Sequence, residues 1–180
     1  MGRRSLHTTL HSLLQQTNPN WKAIVIFDGI KQLPYTTLPQ DDRISYLFSE
    51  KIGRFGLTNG ESGMVRNIGI KAATTEWIGF LDDDDTIAPF YVHALLTKYH
   101  VHDFVVWRMI YTNRVVLPPF HANELAFGNV GISFCYNQYR LGKVYFKHNS
   151  GGEDFDFLKD LKNRTSNWKI THEIAYRVRH

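Results

Sequence analysis

The chain has 180 residues, of which 43% are hydrophobic and 21% are charged, and its formal net charge is +4. This balance is typical of a single globular domain with its own hydrophobic core and excludes disordered and fibrous classes. Its lysines and arginines are scattered along the sequence, which argues against binding to nucleic acid.

Three features of the sequence bear on location. The longest uninterrupted apolar runs, such as Ala23–Phe27, have about five residues, whereas a membrane-spanning helix needs roughly 20. The basic start at Met1–Arg4 is not followed by an apolar signal segment. The single cysteine, Cys135, excludes an internal disulfide and fits a reducing compartment. We therefore expect a cytoplasmic domain without a transmembrane segment.

Apolar spacing predicts the elements of the first half of the chain. Leucines at helical spacing predict an amphipathic helix over 5–16. Two continuous apolar runs, at 22–27 and at 77–81, predict short strands that are buried on both faces. The other predicted elements are a strand over 44–48, an irregular glycine-rich stretch over 53–63 and a helix over 64–73.

The second half completes an α/β pattern. Its predicted elements are a helix from about Pro89 to Tyr99, strands over 104–110, 115–117 and 131–136, a helix over 153–161 and an extended segment over 169–178. Helices alternating with buried strands predict a three-layer α/β/α sandwich with a mainly parallel central sheet. Ligands bind at the carboxyl ends of the strands in such sheets, where Asp28 and the run 82–85 stand.

Four consecutive aspartates, Asp82–Asp85, follow the second buried strand. Adjacent carboxylates repel one another, and a Mg²⁺ or Mn²⁺ ion, which prefers oxygen ligands, would relieve that repulsion. Such an ion can also neutralise the charge of a departing nucleoside diphosphate. The alternative is that the acids only cap the next helix, for which one aspartate would suffice.

Two other segments could carry chemistry. Glu153 and Asp154 stand at the start of a predicted helix, where a carboxylate could act as a general base or could simply favour the helix dipole. The glycine-rich stretch 53–63 leads into a helix that carries Arg66. This pattern suits a lid over phosphates, and it suits an ordinary surface loop equally well.

Five segments occur in the order and spacing of the GT-A glycosyltransferases, and the chain most resembles glycosyltransferase family two. They are Ser12–Thr17, Val25–Gly29, Arg66–Ile70, Phe80–Asp85 and Gly152–Asp154. The resemblance implies one Rossmann-like GT-A domain over 1–180. Residues 1–85 would form its donor-binding half and residues 86–180 its acceptor and catalytic half.

The resemblance also implies the donor site. Asp28 would contact the nucleotide base and Arg66 would line the same pocket. Asp82 and Asp83 would bind the donor as the first part of an Asp-x-Asp motif. The donor would be a nucleoside-diphosphate sugar, for which UDP is the common nucleotide in this family.

The same resemblance implies the catalytic roles. Asp154 would be the base of an inverting transferase, and Asp84 and His180 would bind a Mn²⁺ or Mg²⁺ ion. The loop 128–131 resembles a glycine loop that approaches donor or acceptor. The acceptor would be a carbohydrate or glycoconjugate, and because the chain is short we expect a further domain or partner to help recognise it.

One element of that fold is not found in the sequence. Relatives begin with an apolar strand in the middle of the sheet, whereas this chain begins at the helix that follows it. We expect such a strand to precede Met1 in the full protein and to run between the strands at 22–27 and 77–81.

Two other functions fit some of the same residues. Asp82 and Asp84 after an apolar strand also match the nucleophile motif of haloacid-dehalogenase-like phosphatases, in which Asp82 would form an aspartyl-phosphate. That motif normally lies on the first strand, which argues against this hypothesis. A catalytically inactive nucleotide-sugar-binding module is the other alternative, although binding alone would not need Asp154.

Overall fold

A computed structural model of the protein describes residues 5–29, 38–52, 60–147 and 152–179. Its helices are α1 (Ser5–Leu14), α2 (Gly60–Ala72), α3 (Tyr91–Ala94), α4 (Gln138–Leu141) and α5 (Glu153–Lys162), and α3 continues as a π-helical segment over Leu95–Tyr99. Its strands are β1 (Ala23–Asp28), β2 (Ile44–Ser49), β3 (Trp77–Gly79), β4 (Thr86–Ile87), β5 (Phe104–Ile110), β6 (Val116–Leu117), β7 (Phe134–Asn137) and β8 (Trp168–Arg177).

The elements predicted from apolar spacing are confirmed, with ends shifted by a few residues. The sequence pattern does not predict β4 or α4, which have two and four residues. Elements this short show no period of their own. The prediction of an irregular stretch over 53–63 is wrong for its last residues, since α2 begins at Gly60. Residues 53–59 lie outside the described part of the chain.

The described strands form two sheets. β1 pairs in parallel with β2, with Ala23 opposite Ile44 and Asp28 opposite Ser49. The second sheet has the order β3-β7-β5-β8-β4, and β6 pairs with β5. Within this second sheet β5 and β8 are parallel, whereas the pairs β3–β7, β5–β7, β5–β6 and β4–β8 are antiparallel.

Two details of the predicted sheet are therefore corrected. The described strand directions are mixed rather than mainly parallel, because an apolar run indicates burial and does not indicate direction. The runs predicted to be buried on both faces are only partly buried, since Phe27 alone is buried in β1 and Ile78 alone in β3. The strands that are buried over most or all of their length are β5 and β7.

The expected strand between 22–27 and 77–81 stays a prediction. In the described residues β1 and β3 belong to different sheets and are not paired with each other. No described helix is long and apolar enough to cross a bilayer.

An aromatic cluster in the core positions the two acidic segments. Phe157 of α5 lies with its ring centroid 4.4 Å from that of Phe146, 5.3 Å from Phe134 and 5.8 Å from Phe80. Phe80 lies shortly before the aspartate run, and Phe157 lies one turn after Asp154. Packing of these rings therefore brings the end of β3 and the start of α5 together.

Helix α2 packs closely against the same cluster. A Cβ atom added at Gly63 would lie 2.7 Å from Cβ of Phe146, a distance that real Cβ atoms do not show. One turn later, Asn67 exchanges two hydrogen bonds with the backbone of Phe146, of 2.8 and 2.9 Å. Gly63 is thus required for the close approach of α2 to the core.

We expect Gly63→Ala to lower the free energy of unfolding by about 1–3 kcal/mol, because the added methyl group overpacks the contact with Phe146. Gly69→Ala in the same helix is the matched control, since its Cβ would meet only Cδ1 of Ile26, at 3.2 Å. That control should be neutral or slightly stabilising, since alanine favours a helix by about 1 kcal/mol over glycine. Urea unfolding of both variants gives the measurement, and an unchanged Gly63→Ala midpoint would contradict the packing argument.

Candidate active site

The guanidinium of Arg66 lies at the centre of a cluster of carboxylates. Arg66 is on α2, and one of its Nη atoms lies 2.6 Å from Oδ1 of Asp82, in the segment after β3. Its other Nη atom lies 3.6 Å from Oε1 of Glu153 and 3.7 Å from Oδ1 of Asp154, both in the first turn of α5. The fold therefore brings Arg66, Asp82, Glu153 and Asp154 into one site, here called the Arg66 cluster.

Arg66 is largely removed from solvent, with 16% of its side chain exposed. Burial alone would lower the pKa of Arg66, but the three neighbouring carboxylates outweigh burial and raise it. Ser62, one turn earlier on α2, donates to Oε1 of Glu153 at 2.9 Å and accepts from Arg66 at 3.2 Å. The sequence pattern does not predict the contact between Ser62 and Glu153, because it joins segments far apart in the chain.

The carboxyl group of Asp154 is strongly perturbed. Its side chain is 24% exposed, and within the described part of the chain its buried Oδ1 has no hydrogen-bond partner. Burial raises the pKa of Asp154 to about 7 against the lowering effect of Arg66, and the charges of Glu153 and Asp82 add to the rise. A carboxyl group with this pKa can accept a proton near neutral pH, as a general base must.

The glycine loop predicted over 128–131 lies close to Asp154. A Cβ atom added at Gly131 would lie 2.9 Å from Cε of Met109 and 4.0 Å from Oδ2 of Asp154. A larger residue at this position would therefore press on the core and come into contact with the carboxylate. Because Gly131 has no side chain, the backbone of the loop can lie close to the carboxyl group of Asp154.

The four consecutive aspartates have different surroundings. Asp82 belongs to the Arg66 cluster, whereas Asp83 is exposed and Asp84 is partly buried. Asp85 is only 2% exposed, and its Oδ1 accepts a hydrogen bond of 3.1 Å from the backbone N–H of Arg179. Burial raises the pKa of Asp85. Asp85 therefore packs inside the domain, and the part of the run open to a donor or a cation is 82–84.

A polar stripe on α1 fixes the backbone around this run. The stripe consists of three buried side chains: Thr9 and Ser12 of α1, and Gln16, which lies two residues after the end of that helix. The hydroxyl of Thr9 donates to the carbonyl oxygen of Asp85 at 2.7 Å. Nε2 of Gln16 donates to the carbonyl oxygen of Ala88 at 2.7 Å, and its Oε1 accepts from the N–H of Val92 at 3.0 Å. The sequence signal for this role is polar residues that recur at helical spacing beside the buried leucines.

Asp28 is held at the end of the smaller sheet. Its Oδ1 accepts a hydrogen bond of 2.6 Å from the N–H of Ile52 and lies 3.5 Å from the hydroxyl of Ser49. Ser49 is the residue of β2 that pairs with Asp28, and Ile52 follows β2 by three residues. These contacts fix the carboxylate of Asp28 at the carboxyl end of β1, and its predicted contact with a nucleotide base stays a prediction.

The metal-binding residues predicted from the sequence are only partly described. Asp84 lies between β3 and β4, and His180 lies outside the described residues. In the ranges that the structure describes, no group of three or more His, Cys, Asp or Glu side chains is arranged to bind a metal ion. The described side chains therefore do not form a complete metal site by themselves.

The amino-acid sequence of the chain matches a family of known proteins. The model of the family described as "Glycosyl transferase family 2" matches residues 3–153. EpsH of Bacillus subtilis (strain 168), which carries the name of a glycosyltransferase, is 34% identical over 94 residues, covering 51% of this chain and 25% of that protein. TuaG of the same organism, named for teichuronic acid biosynthesis, is 28% identical over 88 residues, covering 47% of this chain and 32% of that protein.

Solved structures agree on the fold. Residues 1–349 of TarS from S. aureus match with a TM-score of 0.71 and 18% identity, covering 98% of this chain and 57% of that chain. The complex of the same TarS fragment with UDP-GlcNAc matches with a TM-score of 0.70 and 18% identity, covering 97% of this chain and 54% of that chain. This chain spans about a quarter to a third of the length of EpsH and TuaG.

These matches decide between the hypotheses on fold and class. The predicted α/β fold of the GT-A type is confirmed. The phosphatase hypothesis is wrong, because the family match covers both the aspartate run and Arg66, and Asp82 is paired with that arginine rather than poised as a nucleophile. From its match over residues 3–153, the chain belongs to glycosyltransferase family 2.

Proposed function

We propose that this chain carries the donor site and the general base of an inverting glycosyltransferase. The enzyme would move a sugar from a UDP-sugar to a hydroxyl group of a carbohydrate or glycoconjugate acceptor. The observation that carries the proposal is the carboxyl group of Asp154. Its buried Oδ1 has no hydrogen bond within the described residues, and its pKa is about 7 beside Arg66. The shared fold of TarS, which has been solved with UDP-GlcNAc, supports a UDP-sugar as the donor.

Asp154 would act as the base in a single displacement. The acceptor hydroxyl attacks the anomeric carbon from the side opposite the diphosphate, and its proton passes to a carboxylate oxygen of Asp154. The bond from the anomeric carbon to the diphosphate breaks, and its electron pair leaves with the diphosphate oxygen. Attack from the opposite side inverts the configuration at the anomeric carbon.

Arg66 would link the base to the donor. At 3.7 Å its positive charge lowers the pKa of Asp154 below the value that burial alone would give. Asp154 is therefore ionised in a fraction of the molecules at neutral pH. Its other Nη atom binds Asp82, the first residue of the Asp-x-Asp motif. A diphosphate near this motif would compete for the same guanidinium, which would then stabilise the charge that develops on the leaving group.

The remaining donor contacts follow the resemblance stated from the sequence. Asp28, fixed by Ile52 at the end of β1, would contact the nucleotide base. Asp82 would face the ribose, and Asp83 would contribute to donor binding. The exposure of Asp83 supports this role, since its carboxylate lies at the surface of the domain.

A Mn²⁺ or Mg²⁺ ion fits the chemistry of the described residues if the donor supplies part of its coordination shell. Asp84 offers a hard oxygen ligand of the kind both cations prefer, and the described residues do not complete the shell. Asp84 and His180 are the residues that would bind the ion. When bound, the ion would supply positive charge at the diphosphate as it departs.

Acceptor recognition would involve more than this chain. EpsH and TuaG are three to four times as long as the part of them that the chain matches. A further domain or partner for the acceptor therefore stays part of the proposal, as does a cytoplasmic location.

We expect Asp154→Asn to reduce sugar transfer by roughly 10²- to 10⁴-fold, because the amide keeps the shape of the side chain and cannot accept the proton. The affinity for UDP should change little, since Asp154 does not contact the donor in this mechanism. Release of UDP in the presence of acceptor measures the rate, and calorimetry measures UDP binding. Asp156→Asn is the matched control, because Asp156 lies in the same helical turn and pairs with Lys159.

Two outcomes of that experiment would contradict the proposal. An unchanged rate in Asp154→Asn would mean that another residue is the base. UDP binding by the wild-type protein without any transfer, over a full set of sugar donors and acceptors, would instead favour the inactive binding module.

The raised pKa of Asp154 predicts that this carboxyl group destabilises the fold at high pH. Its pKa is about 7 in the folded protein and near 3.8 when unperturbed, so the folded state binds more protons between these values and stability falls as pH rises through them. Asp154→Asn should therefore melt at a higher temperature than the wild type at pH 8, by several degrees, and the difference should be smaller at pH 5. Differential scanning calorimetry checks this, with Asp156→Asn as the control. An equal difference at both pH values would show that the pKa is not raised.

We expect Mn²⁺ to bind weakly to the protein alone and at least about tenfold more tightly, roughly 1.4 kcal/mol, with UDP present. Asp84→Ala should abolish that enhancement, because the diphosphate and Asp84 would share the ion. Asp160→Ala is the control, since Asp160 lies on α5 and pairs with Lys147. Titration calorimetry of Mn²⁺ with and without UDP is the measurement, and tight Mn²⁺ binding that ignores UDP would count against the proposed donor site.

A further inference from the structure

Phe127 is an exposed aromatic residue beside the proposed base. Its side chain is 73% exposed, and its ring centroid lies 5.9 Å from that of Phe155 in an edge-to-face arrangement. The ring also lies against Gly152, where an added Cβ atom would be 2.6 Å from Cε2 of Phe127. Gly152 and Phe155 flank Asp154 at the start of α5. The ring is therefore packed against the helical turn that carries the carboxyl group of Asp154.

The backbone that carries this ring forms a hydrogen-bonded turn. Oδ1 of Asn129 accepts a hydrogen bond of 2.9 Å from the N–H of Ala126, and the N–H of Asn129 donates to the carbonyl oxygen of Ala126 at 3.1 Å. Earlier in the same segment Glu124 pairs with Lys162 of α5 at 2.7 Å. Phe127 thus lies in a hydrogen-bonded turn that contacts α5 through the ring of Phe127 and through the ion pair of Glu124 with Lys162.

Exposure alone would not assign a function to Phe127, because isolated hydrophobic residues are common on protein surfaces. The placement of the ring is more informative. The segment after Phe127 reaches Gly131, whose added Cβ would lie 4.0 Å from Oδ2 of Asp154, so the loop passes from the ring to the carboxyl group. A molecule that lies on the ring would therefore contact the same loop and the same helical turn that surround Asp154.

We propose that Phe127 is the platform on which the acceptor stacks, and that the acceptor group bound there is a pyranose ring. A pyranose has an apolar face of C–H bonds with slight positive charge, which suits the negative face of an aromatic ring. Stacking removes both surfaces from water and leaves the hydroxyl groups at the edge of the sugar free to reach Asp154. An acyclic polyol has no such face. This inference rests on the proposed function, because it assigns the acceptor side of the same site.

Saturation-transfer NMR on the 180-residue chain tests the platform without any transfer reaction. The probes are three methyl β-pyranosides (of glucose, galactose and N-acetylglucosamine), with ribitol as the acyclic comparison. We expect the wild-type protein to transfer saturation to the C–H protons on one face of at least one pyranoside and not to ribitol. Phe127→Ala and Phe127→Leu should weaken that binding roughly 3- to 10-fold, because neither variant has an aromatic face, although leucine keeps an apolar side chain. Phe127→Trp should retain the binding, because tryptophan keeps an aromatic face.

Phe120→Ala is the matched control, because Phe120 is another exposed phenylalanine of the same segment, 58% exposed, and lies against Arg108 instead of α5. It should bind the pyranoside as the wild type does. Equal binding by the wild type and Phe127→Ala, absence of any pyranoside signal, or an equal dependence of ribitol binding on Phe127 would each overturn the inference.

Calorimetric titration of the same samples with UDP separates this inference from the proposed function. If UDP binds every variant equally and pyranoside binding does not depend on Phe127, the platform is refuted and the donor site stands. If UDP binds none of the samples, the donor-site proposal fails. Pyranoside binding that depends on Phe127 would then still support a sugar site on this loop.

Discussion

The burial of one guanidinium, that of Arg66, constrains the whole candidate site. A buried positive charge is costly unless opposite charges compensate it, and Arg66 has three carboxylates within 3.7 Å. They come from the segment after β3 and from the first turn of α5, so the charge of Arg66 ties both segments to α2. Removing Arg66 would leave three acids crowded together without their counter-charge, and their mutual repulsion would push the segments apart.

The same cluster explains why the pKa of Asp154 is raised. One guanidinium cannot bind three carboxylates equally well, and it forms its shortest contact with Asp82. Glu153 is supported in addition by Ser62, whereas Oδ1 of Asp154 is left without a hydrogen bond in the described structure. An acid in this position costs stability in its ionised form, and such a cost is common at functional sites. The proposed base is therefore the member of the cluster that the surrounding structure satisfies least.

The scaffold around the cluster is built from polar and aromatic contacts with separate tasks. The polar stripe on α1 binds the backbone from Asp85 to Val92, and the buried carboxyl group of Asp85 accepts a hydrogen bond from Arg179 at the end of the described chain. The aromatic cluster around Phe157 sets the distance between β3 and α5. Hydrogen bonds to the backbone thus fix the aspartate run, while packing of aromatic rings positions the helix that carries Asp154. A likeness of fold to TarS at 18% identity is consistent with such a scaffold, and it leaves the chemistry to the side chains of this chain.

The sequence by itself determined most of the helices and strands, the place of the acids after a strand and at the start of a helix, and the family resemblance. These are local properties, because apolar periodicity and helix-terminal charge can be detected within a few residues. Strand order and direction were decided only by the tertiary structure, since an apolar run does not indicate which neighbour it will have. Four adjacent aspartates look alike in the sequence, and only their packing partners separate Asp82 in the Arg66 cluster from Asp85 in the interior. The raised pKa of Asp154 likewise depends on burial and on charges that lie far away along the chain, so no local pattern could have shown it.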